Sequence, residues 1–346
     1  MQVARCVLLS RELDLFEEQQ LAPQGKVKNQ FSAKGHELSQ VLLAQALDHI
    51  HDAAAVYYRS RPLMLACGLS TAAAFAASMA LTNSHSQGRD SGVVFNQPGI
   101  DGISVLPASG NVGAQYTPAS GWAQAILYHQ RVLNDLEWKG AIAAAHGGDG
   151  STATNGFWSA LNIATTQNLP LLFFIEDNSY GLSVPSHLQT PGGNIAANLA
   201  AFSNLLVVDS DGTQPESAWQ AINTAVKHVR AGGACLLRMT VPRLQGHTFI
   251  DDQAYKELQE LNDEQGRDPV NNLREFLERE KILSASWDKL EQDAREEVAT
   301  AYRKAIQYPQ PDTGAATDHL FYSGSPPLQG GLRPEGLLPD PGSPHT

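Results

Sequence analysis

Basic residues are scarce in this chain. Its 24 lysines and arginines stand against 36 aspartates and glutamates, a formal net charge of −12 at pH 7. Bulk charge of that sign excludes an electrostatic grip on nucleic acid or an anionic membrane. An anionic ligand must be held locally, by a helix N-terminus, a metal ion or a few placed arginines. Cysteine is nearly absent: Cys6, Cys67 and Cys235 are far apart and form no CxxC. That excludes a disulfide framework and points to small core residues in a reducing compartment. No run approaches the roughly twenty apolar residues a membrane helix needs. The opening MQVARCVLLSRELD soon meets Glu12 and Asp14, so neither a signal peptide nor a membrane span is expected and the expected location is cytoplasmic. No GxGxxG follows an apolar run, which argues against a dinucleotide site. The stretch LACGLSTAAAF lacks the second glycine of GxSxG, so Ser70 reads as a helix cap rather than a nucleophile.

What the chain does have is an alternation of helices and short apolar runs. Early helical spacing covers residues 3–20, then a segment after Gly35 with Leu38, Val41, Leu42 and Ala46 on one face, then an Ala-rich stretch over 70–81. Residues 82–121 are rich in Gly, Ser, Asn and Pro and form a long loop of the kind that is functional or disordered. From 122 to 242, apolar runs at 141–145, 171–175, 205–208 and 235–237 alternate with helices at 121–133, 156–168 and 215–230. Buried parallel strands in βαβ units give that pattern. The expected fold is therefore an α/β, doubly wound parallel sheet. Two more helices follow Asp268-Pro269, and the Pro/Gly-rich end from 323 is expected to be disordered or a linker.

Two apolar runs end in unusual polar sets, His146-Gly147-Gly148-Asp149-Gly150 and Glu176-Asp177-Asn178-Ser179-Tyr180-Gly181. In an open parallel sheet such ends lie where ligands bind. Asp149 and Asn178 sit 29 residues apart, at the ends of consecutive strands, so they can converge. A carboxylate, an amide oxygen and the Tyr180 carbonyl suit a hard cation such as Mg²⁺ whose remaining ligands come from phosphate.

The span GDGSTATNGFWSALNIATTQNLPLLFFIEDNSYG resembles the thiamine-diphosphate signature. With GKVKNQFSAKGHELSQ, VYYRS, GNVGAQYTP, VPRLQGHTFIDDQAYK and the DPVNNLREFLE and SASWDKLEQDAREEV segments, residues 5–322 resemble the alpha subunits of the decarboxylase component of 2-oxo acid dehydrogenases. The likeness is greatest to the branched-chain (2-oxoisovalerate) type. It implies a thiamine-diphosphate-binding α/β domain with its N-terminal helices over 1–265, a C-terminal helical segment over 266–322 and a disordered tail over 323–346. It also implies that Asp149, Asn178 and the Tyr180 carbonyl hold Mg²⁺, and that the amides of Gly150 and Ser151 face the diphosphate. Tyr58 and Arg59 match the pair that contacts the diphosphate. His247 matches the loop histidine that reaches diphosphate and substrate and aids acyl transfer to the lipoyl group. Gly110 and Val112 match the positions that cradle the aminopyrimidine and bend the cofactor, and Phe31 and Tyr57 those that line the acyl pocket. The implied partners are a beta subunit in an α2β2 assembly, which supplies the glutamate facing the pyrimidine ring, and a lipoylated acyltransferase.

Some positions depart from the family pattern: Asp177 where a second asparagine is usual, Thr154-Asn155 after the GDG, Ser60-Arg61 where aspartate and histidine are usual, and Val94 or Phe95 where a histidine is usual. The segment Gly110-Asn111-Val112-Gly113-Ala114-Gln115 is closer to the pyruvate type, whereas Phe31 with Gly35-His36-Glu37 is closer to the branched-chain type. Three readings thus stand beside one another: a branched-chain enzyme subunit, a pyruvate or acetoin dehydrogenase subunit, and a silent structural or regulatory paralogue.

Overall fold

The four apolar runs become parallel strands, and polar residues lengthen each of them at its C-terminal end. In chain order the strands are β1 (Ala53–Ala55), β2 (Ser104–Leu106), β3 (Ala143–Gly148), β4 (Leu171–Asp177), a short antiparallel hairpin β5 (Tyr180–Gly181) and β6 (Val184–Pro185), then β7 (Leu205–Asp211) and β8 (Ala234–Thr240). In this computed structural model, which describes residues 2–27, 29–90, 95–97, 99, 102–283 and 286–318, six of these strands make one parallel sheet in the order β2-β1-β3-β4-β8-β7. A first compact unit runs from Met1 to Pro311. Of the second, which begins at Asp312, the described residues show a 3-10 turn at Thr313–Thr317 capped by the Asp312 side chain. The expectations for Val94 and for the 323–346 tail fall outside the described residues.

Side chains alternate along each strand and split the interior in two. One face of the sheet presents Ala54, Ala144, Leu172, Phe174 and Leu237, packed with α1 (Gln2–Phe16), α2 (Glu37–Ala46) and α8 (Pro215–Arg230). The other presents Ala53, Ala145, Phe173, Ile175 and Leu236, packed with α5 (Tyr116–Arg131), α6 (Asn155–Gln167) and α7 (Ile195–Leu199). In α8 the buried set Ala218, Ala221, Ile222, Ala225, Val226 and Val229 follows helical spacing, and Pro215 opens the helix where its missing N–H costs nothing. Further out, α3 (Arg61–Ala66) packs on α2, and α4 (Thr71–Ser78) and α11 (Trp287–Ala305) pack together beside α1. Ser70 caps α4: its hydroxyl accepts the Ala73 N–H at 3.2 Å.

β1 and β2 carried no sequence signal. β1 is three alanines, registered residue for residue against Ala143, Ala144 and Ala145 of β3. Alanine has little strand preference, and the backbone ladder with both neighbours decides the conformation here. β2 lies inside the 82–121 segment expected to be a loop. α5 starts five residues before the expected 121, and α9 (Leu258–Gln265) is an added helix ahead of α10 (Pro269–Arg279). From β1 the chain passes to β2 on one side; from β3 it proceeds to β4 on the other. The direction of winding therefore reverses between β1 and β3, which places the crevice for a ligand beyond their C-terminal ends.

Candidate cofactor site

Beyond those strand ends lies a cavity of about 550 Å³. All twelve residues singled out from the sequence line it: Phe31, Tyr57, Tyr58, Arg59, Gly110, Val112, Asp149, Gly150, Ser151, Asn178, Tyr180 and His247. They come from six separate chain segments. The β1 end supplies Tyr57 to Arg59, the loop before α5 supplies Gly110 and Val112, and the β3 and β4 ends supply the polar corner.

Asp149 opens a 3-10 turn, Asp149–Ala153, that leads into α6. It is 4% exposed, and its Oδ2 is buried with no hydrogen-bond partner. Burial first, and the nearby Asp177 second, push its carboxyl from the ordinary 3.8 to about 7. An anion held in that way is short of a cation. Asn178 is buried; its Oδ1 accepts the Tyr180 N–H at 3.2 Å and its Nδ2 lies 3.2 Å from His36 Nε2. The Tyr180 ring is pinned by the Arg243 guanidinium, 5.5 Å from its centroid, and by Lys256 Nζ at 4.9 Å. Its hydroxyl donates to Glu260 at 3.1 Å.

The backbone approaches closely here. A Cβ on Gly147 would lie 2.5 Å from both Ser151 Oγ and Tyr116 Oη, so only glycine lets the 149–153 turn fold back onto β3. Ser151 Oγ donates to the Gly148 carbonyl at 2.5 Å and accepts from the Tyr116 hydroxyl at 2.5 Å. Gly113 has φ +87°, and a Cβ there would meet Thr154 Oγ1 at 2.2 Å. Thr154 caps α6 by accepting the Phe157 N–H at 3.3 Å, which gives the departure at 154 a structural use.

An aromatic wall closes the other side. Phe31 and Tyr58 have ring centroids 4.3 Å apart, Phe31 and His247 5.4 Å, and Tyr57 and Tyr58 5.0 Å. Arg59 is 3% exposed and donates to the Ser32 and His247 carbonyls. Burial, with Arg59 and Arg243 nearby, lowers His247 to about 4, so it is neutral at physiological pH. Asp251 holds the loop by accepting the N–H of His247 at 2.6 Å and of Gln253 at 2.9 Å, and the Tyr255 hydroxyl at 2.8 Å.

The remaining departures are also occupied. Asp177 does not line the cavity; Arg238 Nε donates to its Oδ2 at 2.7 Å, and the same guanidinium bridges to Asp209. Ser60 accepts the Tyr57 N–H at 3.0 Å and pairs with His146 Nδ1 at 2.8 Å. Arg61 is buried between Asp14 and Glu17, each at 2.8 Å. Phe95 is core.

Sequence reasoning missed a second tier behind the lining. Glu176, fully buried at the β4 end, accepts from His36 Nδ1 and His146 Nε2 at 2.9 Å, Gln40 Nε2 at 2.8 Å and Ser39 Oγ at 2.5 Å. These donors hold its carboxyl below the ordinary range although burial opposes them, and burial lowers His36. The signal was present: a glutamate directly after five apolar residues of a buried strand needs partners. Arg243, 1% exposed, had no such signal.

Residues 5–313 match the protein family described as "Dehydrogenase E1 component". The pyruvate dehydrogenase E1 component subunit alpha of Zymomonas mobilis is 31% identical over 285 residues, 80% of this chain and 75% of that protein. The 2-oxoisovalerate dehydrogenase subunit alpha of Bacillus subtilis is 28% identical over 305 residues, 87% of each. The pyruvate dehydrogenase E1 component subunit alpha of the same organism is 26% identical over 291 residues, 83% of this chain and 72% of that one. A match over nearly the whole chain, on a parallel sheet whose switch point gathers every expected residue, places this chain in the dehydrogenase E1 component family, among the alpha subunits of 2-oxo acid dehydrogenases.

Proposed function

We propose that the cavity binds thiamine diphosphate and Mg²⁺, and that with a beta subunit the chain decarboxylates a branched-chain 2-oxo acid and passes the acyl group to a lipoylated acyltransferase. The observation that carries this reading is the partnerless buried Oδ2 of Asp149 beside Asn178 and Tyr180 in one cavity. Among the described residues no group of three or more His, Cys, Asp or Glu side chains forms a metal cage. One carboxylate, one amide and one carbonyl therefore suit a cation that takes further oxygens from a diphosphate.

Thiamine diphosphate, when bound, supplies the nucleophilic carbon and the electron sink. Asp149, Asn178 and the Tyr180 carbonyl would hold the cation, and the Gly150 and Ser151 amides would face the diphosphate at the head of α6. Tyr58 and Arg59 would contact the same group, with Arg59 preoriented by its two carbonyl acceptors. Gly110 and Val112 would cradle the ring end. Phe31 and Tyr57 would exclude water from the acyl pocket. His247, neutral and edge-on to Phe31, would hold or release a proton at its imidazole during acyl transfer. Phe31 with Gly35-His36-Glu37 supports the branched-chain substrate. No helix among the described residues is long and apolar enough to cross a membrane.

The test uses the chain purified with the partner that accompanies it. Turnover of 3-methyl-2-oxobutanoate, pyruvate and acetoin is followed with an artificial electron acceptor, with and without thiamine diphosphate and Mg²⁺. Cofactor-dependent turnover fastest on 3-methyl-2-oxobutanoate is expected. Preference for pyruvate or acetoin overturns the substrate, and a stable complex silent on all three supports the non-catalytic paralogue instead.

A further inference from the structure

The geometry points to His36, oriented by Glu176, as a positioning residue that keeps the Asn178 amide oxygen toward the cation. This rests on the reading of Asn178 as a cation ligand. All four partners of the Glu176 carboxylate are donors, His36 Nδ1 among them. With the proton of His36 drawn to Nδ1, Nε2 carries only a lone pair, which accepts from Asn178 Nδ2. The amide's NH₂ end is thereby consumed. Its Oδ1 end faces the other way, where the Tyr180 N–H also donates to it.

Flipping that amide by half a turn sets oxygen against the imidazole lone pair and NH₂ against the Tyr180 N–H. Both hydrogen bonds are lost and N–H groups face the cation, which cannot be ligated by a donor. The orientation is thus imposed by groups of this chain before any ligand arrives. The same carboxylate also steadies the opposite wall. Gln40 Nε2 donates to the Arg59 carbonyl at 3.1 Å, and His146 is tied to Ser60 at 2.8 Å.

The two halves of His36 separate by substitution. In His36→Asn the amide ends near the Nδ1 position, so the donor to Glu176 is kept and the acceptor for Asn178 is lost. In His36→Gln the longer amide reaches the Nε2 position with a carbonyl and still offers an N–H to the carboxylate. Ser39→Ala removes a different donor from Glu176 and leaves His36 in place. The measurement is the Mg²⁺ concentration that half-saturates thiamine diphosphate binding to the complex with its partner chain, read by tryptophan fluorescence. The melting temperature of the ligand-free complex is recorded alongside.

H36N should raise the half-saturating Mg²⁺ by about tenfold or more, the scale on which outer partners tune metal sites. H36Q and S39A should stay within about threefold of wild type whatever they do to melting. The inference is overturned by H36N remaining near wild type, or by H36Q or S39A rising as far as H36N. A wild-type complex that binds no thiamine diphosphate at any Mg²⁺ concentration sinks the cofactor reading itself, so the two failures are distinct.

Discussion

Asp149→Asn should make the ligand-free protein more stable while destroying its use of a cation. Asp149 is buried, one of its oxygens has no partner, and its carboxyl titrates at about 7 instead of 3.8. A displacement of that size corresponds to about 4 kcal/mol of differential stability. The sign follows from the direction. A carboxyl raised on folding contributes stability that is fully present below its unfolded value and is lost as pH rises toward 7. Above that, the folded chain carries the whole cost of an uncompensated buried anion. Asparagine keeps the shape and removes the charge, so D149N should melt higher than wild type by about 6 °C at pH 8 for a unit of this size. The gap should shrink to less than half by pH 5, where much of the wild-type carboxyl is already protonated. Calorimetric melting of the ligand-free complex across pH 5–8 reads this directly, and Mg²⁺-dependent thiamine diphosphate binding should be abolished in the same variant. A D149N that melts no higher at pH 8, or a gap that is flat with pH, refutes the argument.

Other outcomes follow from the same contacts. D177N removes the second cause of Asp149's displacement, so the midpoint of that pH-dependent gap should move to lower pH; an unmoved midpoint assigns the shift to burial alone. Arg61→Met strands Asp14 and Glu17 in the core and should cost about 3–5 kcal/mol in urea denaturation, the scale for breaking a buried ion cluster from one side. Gly113→Ala forces a left-handed residue against Thr154 and disturbs the α6 cap. Weaker thiamine diphosphate binding, measured by calorimetry, should accompany a destabilisation of about 1–3 kcal/mol.

The sequence carried the long parallel strands because β3, β4 and β8 are buried on both faces and so are written in continuous apolar letters, as in Leu171 to Ile175. The half-buried edge strand β7 still opens on the apolar Leu205 to Val208. The polar corner was legible because Gly147 is required by a close approach that no side chain tolerates, and Gly148 and Gly150 bracket Asp149. β1 was invisible because its conformation comes from neighbours rather than from its own residues. Ser60, Arg61 and Asp177 look out of place in the chain, and only their partners, His146, Glu17 and Arg238, explain them. Those partners are 44 to 86 residues away, beyond the reach of any local pattern. Glu176 lay in plain view, but its four donors are scattered over two distant segments.

The alanine facing at the centre of the sheet has a consequence for how this protein can vary. Ala53 to Ala55 and Ala143 to Ala145 are all within 3% of full burial, with four methyls on the α5 side and two on the other. Methyl groups act there as a thin gasket between the sheet and the helices laid across it. A valine at Ala145 or Ala53 has no void to enter and must lift the start of α5. Gln115 and Tyr116 ride on that start, and they brace the His146 carbonyl and Ser151. Bulk added below the cavity would therefore be felt as a change in its floor. Inconspicuous as they are, these six positions are sensitive to added volume, and natural sequence drift there should be confined to glycine, serine and cysteine.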